Sequence, residues 1–230
     1  FAQDSTQGQK YIAMFILFSA NILFWALFEQ AGASLNFLAQ DHVNMPTVFG
    51  YQLHFTLFQS ANPVFIILLA PMFAALWPRL EKISMNPSIP RKFAIALIGL
   101  AAGFALLVFA LKNFLGVDNR IAWYWLAGLY FIHTAAELCL SPIGLSMVTK
   151  LAAPKNVGLS MGGWFLATAV ANYLAGRIAA IASGGSAHDA AGSLAQYSET
   201  FTMLIWAGLI VGGIYFFLAP LINKLMHGVK

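Results

Sequence analysis

E-L-C-L-S-P-I-G-L-S-M-V-T-K-L-A-A-P-K-N-V-G-L-S-M-G-G-W-F-L-A-T-A-V-A-N, running from Glu137 to Asn172, decides what kind of molecule this is. It sets one carboxylate, Glu137, inside an apolar run. Pro142 follows, then a basic turn with Lys150 and Lys155, then a second apolar run opened by Gly162, Gly163 and Trp164. An ionisable group that deep in an oily segment is costly in a bilayer and marks a site by default.

Outward from this stretch the same pattern repeats. Six apolar segments reach the roughly 20 residues needed to cross about 30 Å of hydrocarbon. They run from about Tyr11 to Leu38, Leu53 to Trp77, Phe93 to Leu111, Ile121 to Val148, Val157 to Ala182 and Phe201 to Ile222. Segments this long and continuously apolar satisfy their backbone groups in lipid only as helices. The composition agrees: of 230 residues, 60% are hydrophobic and 9% charged, against about 25% charged in a soluble domain. So few charges cannot cover a water-facing surface, and the chain reads as an all-α integral membrane protein.

The connections are short and polar, and that from Ser183 to Thr200, rich in Gly, Ser and Ala, reads as the most mobile. Residues 1–10 read as a cytoplasmic linker and residues 11–230 as the helical bundle. Lys10, Arg79, Lys82, Arg91, Lys92, Lys150, Lys155, Lys224 and Lys230 fall on one side of the membrane. Lys112, Arg120 and Arg177 fall towards the other. By the positive-inside rule the first side is cytoplasmic and both ends of the chain lie there. Six helices with both ends inside is the pattern of one half of a major-facilitator-type transporter. No basic run is interleaved with aromatics on a water-facing element, so nucleic acid is not an expected partner. Cys139 has no second cysteine to pair with and reads as a small packing residue.

The polar residues within the segments carry the functional reading. Tyr130, His133, Glu137 and Ser141 recur every three or four residues and so are expected on one face. Glu137 lies 17 residues beyond Arg120 and 13 before Lys150, close to the midplane at about 1.5 Å per residue. It reads as a counter-charge for a cation or a protonatable switch, against a packing role as a hydrogen-bonded neutral acid. His133 reads equally as a site residue or a structural one, with no metal-ligand spacing around it. On the first segment Asn21, Trp25 and Glu29 recur every four residues, with Gln30, Gly32 and Asn36 beyond. Glu29 is either part of that polar stripe or a carboxylate reaching the interface. Asn62, in Q-S-A-N-P on the second segment, lies 17 residues before Arg79 and again near mid-depth, with Pro63 expected to free a backbone carbonyl beside it. On the fifth segment Trp164, Thr168 and Asn172 share a face, and Trp164 reads as a pocket wall or a core residue. Asn62, Glu137 and Trp164 are therefore expected at similar depth on three helices, a candidate central ligand site.

The block from Glu137 to Pro154, the following M-G-G-W-F-L, the F-W-A-L-F-E-Q of Phe24 to Gln30 and the N-P of Asn62-Pro63 resemble the proton-dependent oligopeptide transporters. The resemblance covers nearly the whole chain and matches that family's C-terminal six-helix bundle. It implies proton-coupled symport of di- and tripeptides, with the proton as coupling ion and no cofactor. Residue by residue it implies that Glu137 meets the peptide's amino terminus with Asn62 beside it. Ser141, Trp164 and Trp25 would line the pocket, and Glu29 would take part in proton coupling and gating. The family's N-terminal motif is absent from these 230 residues, so the resemblance implies half a transporter that works with an N-terminal bundle of the same protein. The short connection between the third and fourth segments suggests a bacterial-type carrier of the inner membrane. Relatives carry nitrate or other small solutes, and an anion would want a midplane cation where every Lys here stands at a helix end. A membrane enzyme or haem protein would need clustered ligands, and only His54 and His133 lie in the segments.

Overall fold

The structure, a computed structural model, describes residues 2–182 and 190–229. Six membrane-length helical stretches are present among them, as the apolar segments predict, but several limits differ from expectation and each difference has a local cause.

Helix α1 (Ala2–Phe28) begins well before the apolar run, so residues 2–10, expected as a linker, continue the first span. That span is also not continuous. A 3-10 turn over Glu29–Gly32 interrupts it before α2 (Ser34–His42), with Ala33 at φ −121° and ψ −106°. The second span opens with a 3-10 turn over Phe55–Ser60, and α3 (Ala61–Lys82) starts only at Ala61. Pro63 therefore sits in the first turn of α3, where its missing N–H has no helical partner to lose. The expectation of a freed carbonyl at mid-helix is corrected accordingly. Pro71 and Pro78 lie in the helix interior instead.

The remaining spans are α4 (Ile89–Asn113), α5 (Trp123–Leu151), α6 (Val157–Ala182) and α7 (Ala190–Leu225). The last begins about three turns before the expected Phe201, in what reads as a loop in the sequence. Residues 183–189 of that expected mobile connection lie outside the described residues. Between spans one and two, Val43–Asn44 (β1) pairs in parallel with Ile121–Ala122 (β4), and Thr47–Val48 (β2) pairs with Tyr51–Gln52 (β3) in a hairpin. The hairpin turns through Phe49 at φ 51° and Gly50 at φ 83°, the two positive values that a tight two-residue connection needs.

Helix α4 is the centre of the bundle, packed between α5 and α7, while α1 lies along α6 and α3 leans on α5. Leu97, Leu100, Phe104 and Leu107 of α4 are fully buried. In lipid there is little hydrophobic drive between helices, so close approach through small residues holds them together. Gly208 and Gly212 of α7 show this, since a Cβ at either would come within 2.9 Å of α4 atoms. At the basic end, Gln7 Nε2 donates to Leu151 O at 2.8 Å and Asn156 Nδ2 to Tyr11 Oη at 2.9 Å, tying the start of α1 to the α5–α6 turn. By contrast α3 and α6 leave large apolar side chains outward, among them Ile67, Leu68 and Met72 on α3 and Leu159, Phe165 and Leu166 on α6.

Candidate functional site

Glu137, half-buried on α5, accepts a hydrogen bond from Asn62 Nδ2 of α3 through Oε2 at 2.7 Å. The same amide reaches Thr134 Oγ1 at 3.2 Å, and the Thr134 hydroxyl donates to Tyr130 O at 2.7 Å. With its proton committed to the helix backbone, Thr134 can only accept from Asn62, which fixes the direction of the amide and aims its N–H at the carboxylate. The two polar residues of α3 and α5 thus meet, at the similar depth that their distances from the flanking basic residues predict.

An ionised carboxylate has room for about four hydrogen bonds, and among the described residues only one is supplied to Glu137. No basic side chain stands within ion-pair range of it among the described residues, and its electrostatic neighbour is another carboxylate, Glu29. Glu29 is half-buried at the first position of the 3-10 turn that breaks the first span. It has no hydrogen-bond or ionic partner among the described residues. Among the described residues the site therefore carries two acidic groups and no fixed cation, an arrangement suited to a cation or to protons from outside.

The break is held on purpose-built contacts. Ala31 O, released from the helical ladder, accepts from Tyr130 Oη at 3.1 Å and from Gln59 Nε2 at 3.0 Å. Gln30, fully buried, donates to Ala26 O at 3.0 Å and Ala175 O at 3.2 Å and accepts from Ser34 Oγ at 2.7 Å. Irregular backbone at membrane depth persists only where protein or a water-filled cavity satisfies it, and here side chains from three spans do so. Trp25 is half-buried, edge-on to Phe24 and Phe28 with centroids 5.5 and 5.3 Å away. Ser141 is half-buried one turn beyond Glu137, its hydroxyl without a hydrogen-bond partner among the described residues.

Two expectations are corrected by the packing. Trp164 is 3% exposed, wedged against Phe18, Phe93 and the bare face of Gly144, where any Cβ would collide with the indole. Gly144 lies seven residues beyond Glu137, about 10 Å further along the axis, so Trp164 is neither level with the Asn62–Glu137 pair nor open to it. His133 does not share the Glu137 face. It is buried beside Phe104, with Nε2 3.1 Å from Leu100 O of α4, and so is structural. His54 is exposed and caps the turn that precedes α3. No group of three or more His, Cys, Asp or Glu that could hold a metal occurs among the described residues.

Thr134 was not singled out from the sequence, although it stands three residues before Glu137, a spacing compatible with a shared face. Gln30 was visible as a polar residue in the first segment. Its role as the clamp of a broken helix was not, because no proline marks the break.

Comparison with known proteins matches this arrangement to one group. A family model described as the POT family matches residues 1–198. The peptide transporter YePEPT of Yersinia enterocolitica is 36% identical over 232 residues, covering 100% of this chain and 44% of that protein. A dipeptide and tripeptide permease A of Edwardsiella piscicida is 31% identical, covering 99% and 46% respectively. A solved structure of a mutant peptide transporter POT in complex with alafosfalin superposes with a TM-score of 0.84 at 32% identity, over 97% of this chain and 43% of that one. A POT family transporter in complex with 5-aminolevulinic acid gives 0.81 at 27% identity, over 95% and 42%. The chain thus spans less than half the length of each of these relatives.

Proposed function

This chain belongs to the POT family of membrane transporters, and on that footing we propose that it is the C-terminal half of a proton-coupled carrier of di- and tripeptides. The observation that carries the reading is the Asn62–Glu137 hydrogen bond, which orients a carboxylate that has no cation of its own. A peptide with a free amino terminus brings an ammonium that the low-dielectric site leaves unpaired elsewhere, and Glu137 is its partner. Asn62 sets the angle of the carboxylate, Ser141 offers a spare hydroxyl one turn away, and Trp25 with Phe28 forms an apolar wall for a peptide side chain. Trp164 acts from behind, by holding the Gly144 region of α5 rather than by touching the substrate.

Glu29 is the proton-coupling residue in this reading. It begins the broken turn of the first span and faces Glu137 as a like charge, so its protonation relieves repulsion in the site and alters what the turn must accommodate. Alternating access follows when this bundle rocks against a second, N-terminal bundle of the same protein, which covers the apolar faces of α3 and α6. The side with nine of the twelve basic residues is cytoplasmic, which puts both ends of the chain inside the cell membrane, a bacterial inner membrane. The carrier makes and breaks no covalent bond in its substrate, needs no cofactor beyond the coupling proton, and engages no nucleic acid. An anionic solute such as nitrate fits poorly, because a cation is wanted where two carboxylates stand.

In the complete protein, Glu137→Ala should abolish uptake of a dipeptide with a free amino terminus, measured in proteoliposomes under an inward proton gradient. Uptake close to wild type would sink the assignment.

A further inference from the structure

A second constellation lies away from Glu137, at the basic end of the bundle. Helix α3 leans on α5 and scarcely touches α4, and the gap is a groove of about 520 Å³. Its walls are apolar, with Ala70, Phe73 and Ala74 from α3 and Leu138 and Ile143 from α5. Its polar end carries Lys92, Lys150 and Ser146. We propose that this groove binds the headgroup of an anionic phospholipid, with Lys92 as the cation that holds the phosphate and the apolar walls as the seat of the adjoining acyl chain.

Lys92 carries the inference. It is only 7% exposed, in the first turn of α4, with Nζ 4.3 Å from the centre of the Trp77 ring. Charges removed from water are paired in proteins, because an unpaired one is expensive. Yet no carboxylate lies within ion-pair distance of Lys92 among the described residues. Of the acidic groups that act on it electrostatically, Cys139 is a thiol, and the one carboxylate, Glu81, is engaged by Asn86 Nδ2 at 2.8 Å. The ring of Trp77 compensates part of the charge, and an anion entering the groove would supply the rest.

Position selects the kind of anion. The groove lies where α3 ends at Lys82 and α4 begins at Ile89, at the level where basic residues and Trp meet lipid headgroups. Basic pockets between spans recognise phosphate-bearing heads at this depth. A free phosphate satisfies Lys92 but leaves the apolar walls uncovered, whereas a phospholipid satisfies both.

The test is a lipid-binding measurement on the complete protein, independent of transport, so its failure leaves the reading of Glu137 untouched. Native mass spectrometry would count phosphatidylglycerol retained by protein taken from nanodiscs of phosphatidylcholine with graded phosphatidylglycerol. Wild type and Lys92→Arg are expected to retain phosphatidylglycerol in preference to phosphatidylcholine. Lys92→Gln is expected to bind it at least about fivefold more weakly, the contribution of one cation near a headgroup. Ala74→Phe fills the groove without touching the charge and should give the same loss, which keeps the test decisive if Lys92→Gln fails to fold. Equal retention by wild type and both variants overturns the proposal. So does displacement by millimolar inorganic phosphate, which makes the ligand a free anion. A wild type that retains no phosphatidylglycerol also overturns it and gives the groove to an acidic side chain of the second bundle.

Discussion

Asn62 and Glu137 form a charge-assisted hydrogen bond whose donor is aligned by Thr134, and such bonds contribute about 1.5–3 kcal/mol. Asn62→Ala removes the one N–H that sets the carboxylate's direction. It is expected to lower kcat/KM for a dipeptide roughly tenfold, at the lower end of that range, as measured by initial uptake rates. Unchanged rates would mean that the carboxylate is positioned by something else. His133 makes the opposite case. Its imidazole lies between Phe104 and the Leu100 carbonyl, closed off from the site. His133→Ala should destabilise the bundle by about 2–4 kcal/mol, as a core truncation with a lost hydrogen bond does. The pH profile of uptake should keep its shape, and a displaced profile would return His133 to the proton path. At this scale the sequence showed which residues are polar at mid-depth. It did not show their partners, because a three- or four-residue spacing fixes a face only within a wide arc, and His133 and Glu137 fall on either side of it.

The elements add what single residues cannot. Two non-α turns meet near the site, over Glu29–Gly32 in the first span and over Phe55–Ser60 before α3. Side chains of Gln59 and Tyr130 satisfy the Ala31 carbonyl that the first turn releases, and Gln30 ties that turn to Ala26 O of α1 and Ala175 O of α6. The α5–α6 contact is set by Trp164 filling the notch at Gly144. Trp164→Ala should lower stability by about 3–5 kcal/mol through the cavity it leaves, seen as a lower unfolding temperature in detergent. The KM for dipeptides of differing side-chain bulk should shift little. A KM that changes in step with side-chain bulk would put the indole in the pocket instead. Helix number and the approximate spans were legible from apolar run length alone. The break in the first span was not, since it depends on acceptors and donors supplied by α5, α6 and the turn before α3.

At the scale of the whole molecule, the bundle is closed on one side and open on the other. Helix α4 is enclosed, while α3 and α6 turn Ile67, Leu68, Phe165 and Leu166 outward. Glu137, bonded to Asn62, has no cation within ion-pair range among the described residues, which fits a site completed by a second bundle. The chain reconstituted alone is therefore expected to show no proton-driven dipeptide uptake. Co-expression with that second bundle should restore it, read as gradient-dependent accumulation. Accumulation by the chain alone would refute the two-bundle reading.

The sequence by itself determined the solvent, the number of spans, the end at which the basic residues gather, and the similar depth of Asn62 and Glu137. Each of these follows from composition or from counting at a fixed rise per residue. Only the tertiary structure decided that Trp164 is core, that His133 is structural, that the first span breaks at Glu29, and that Lys92 is buried in a groove. These depend on how each helix is rotated about its axis. That rotation is set by close contacts at glycines and by hydrogen bonds to carbonyls on other helices, which no periodicity within one segment records.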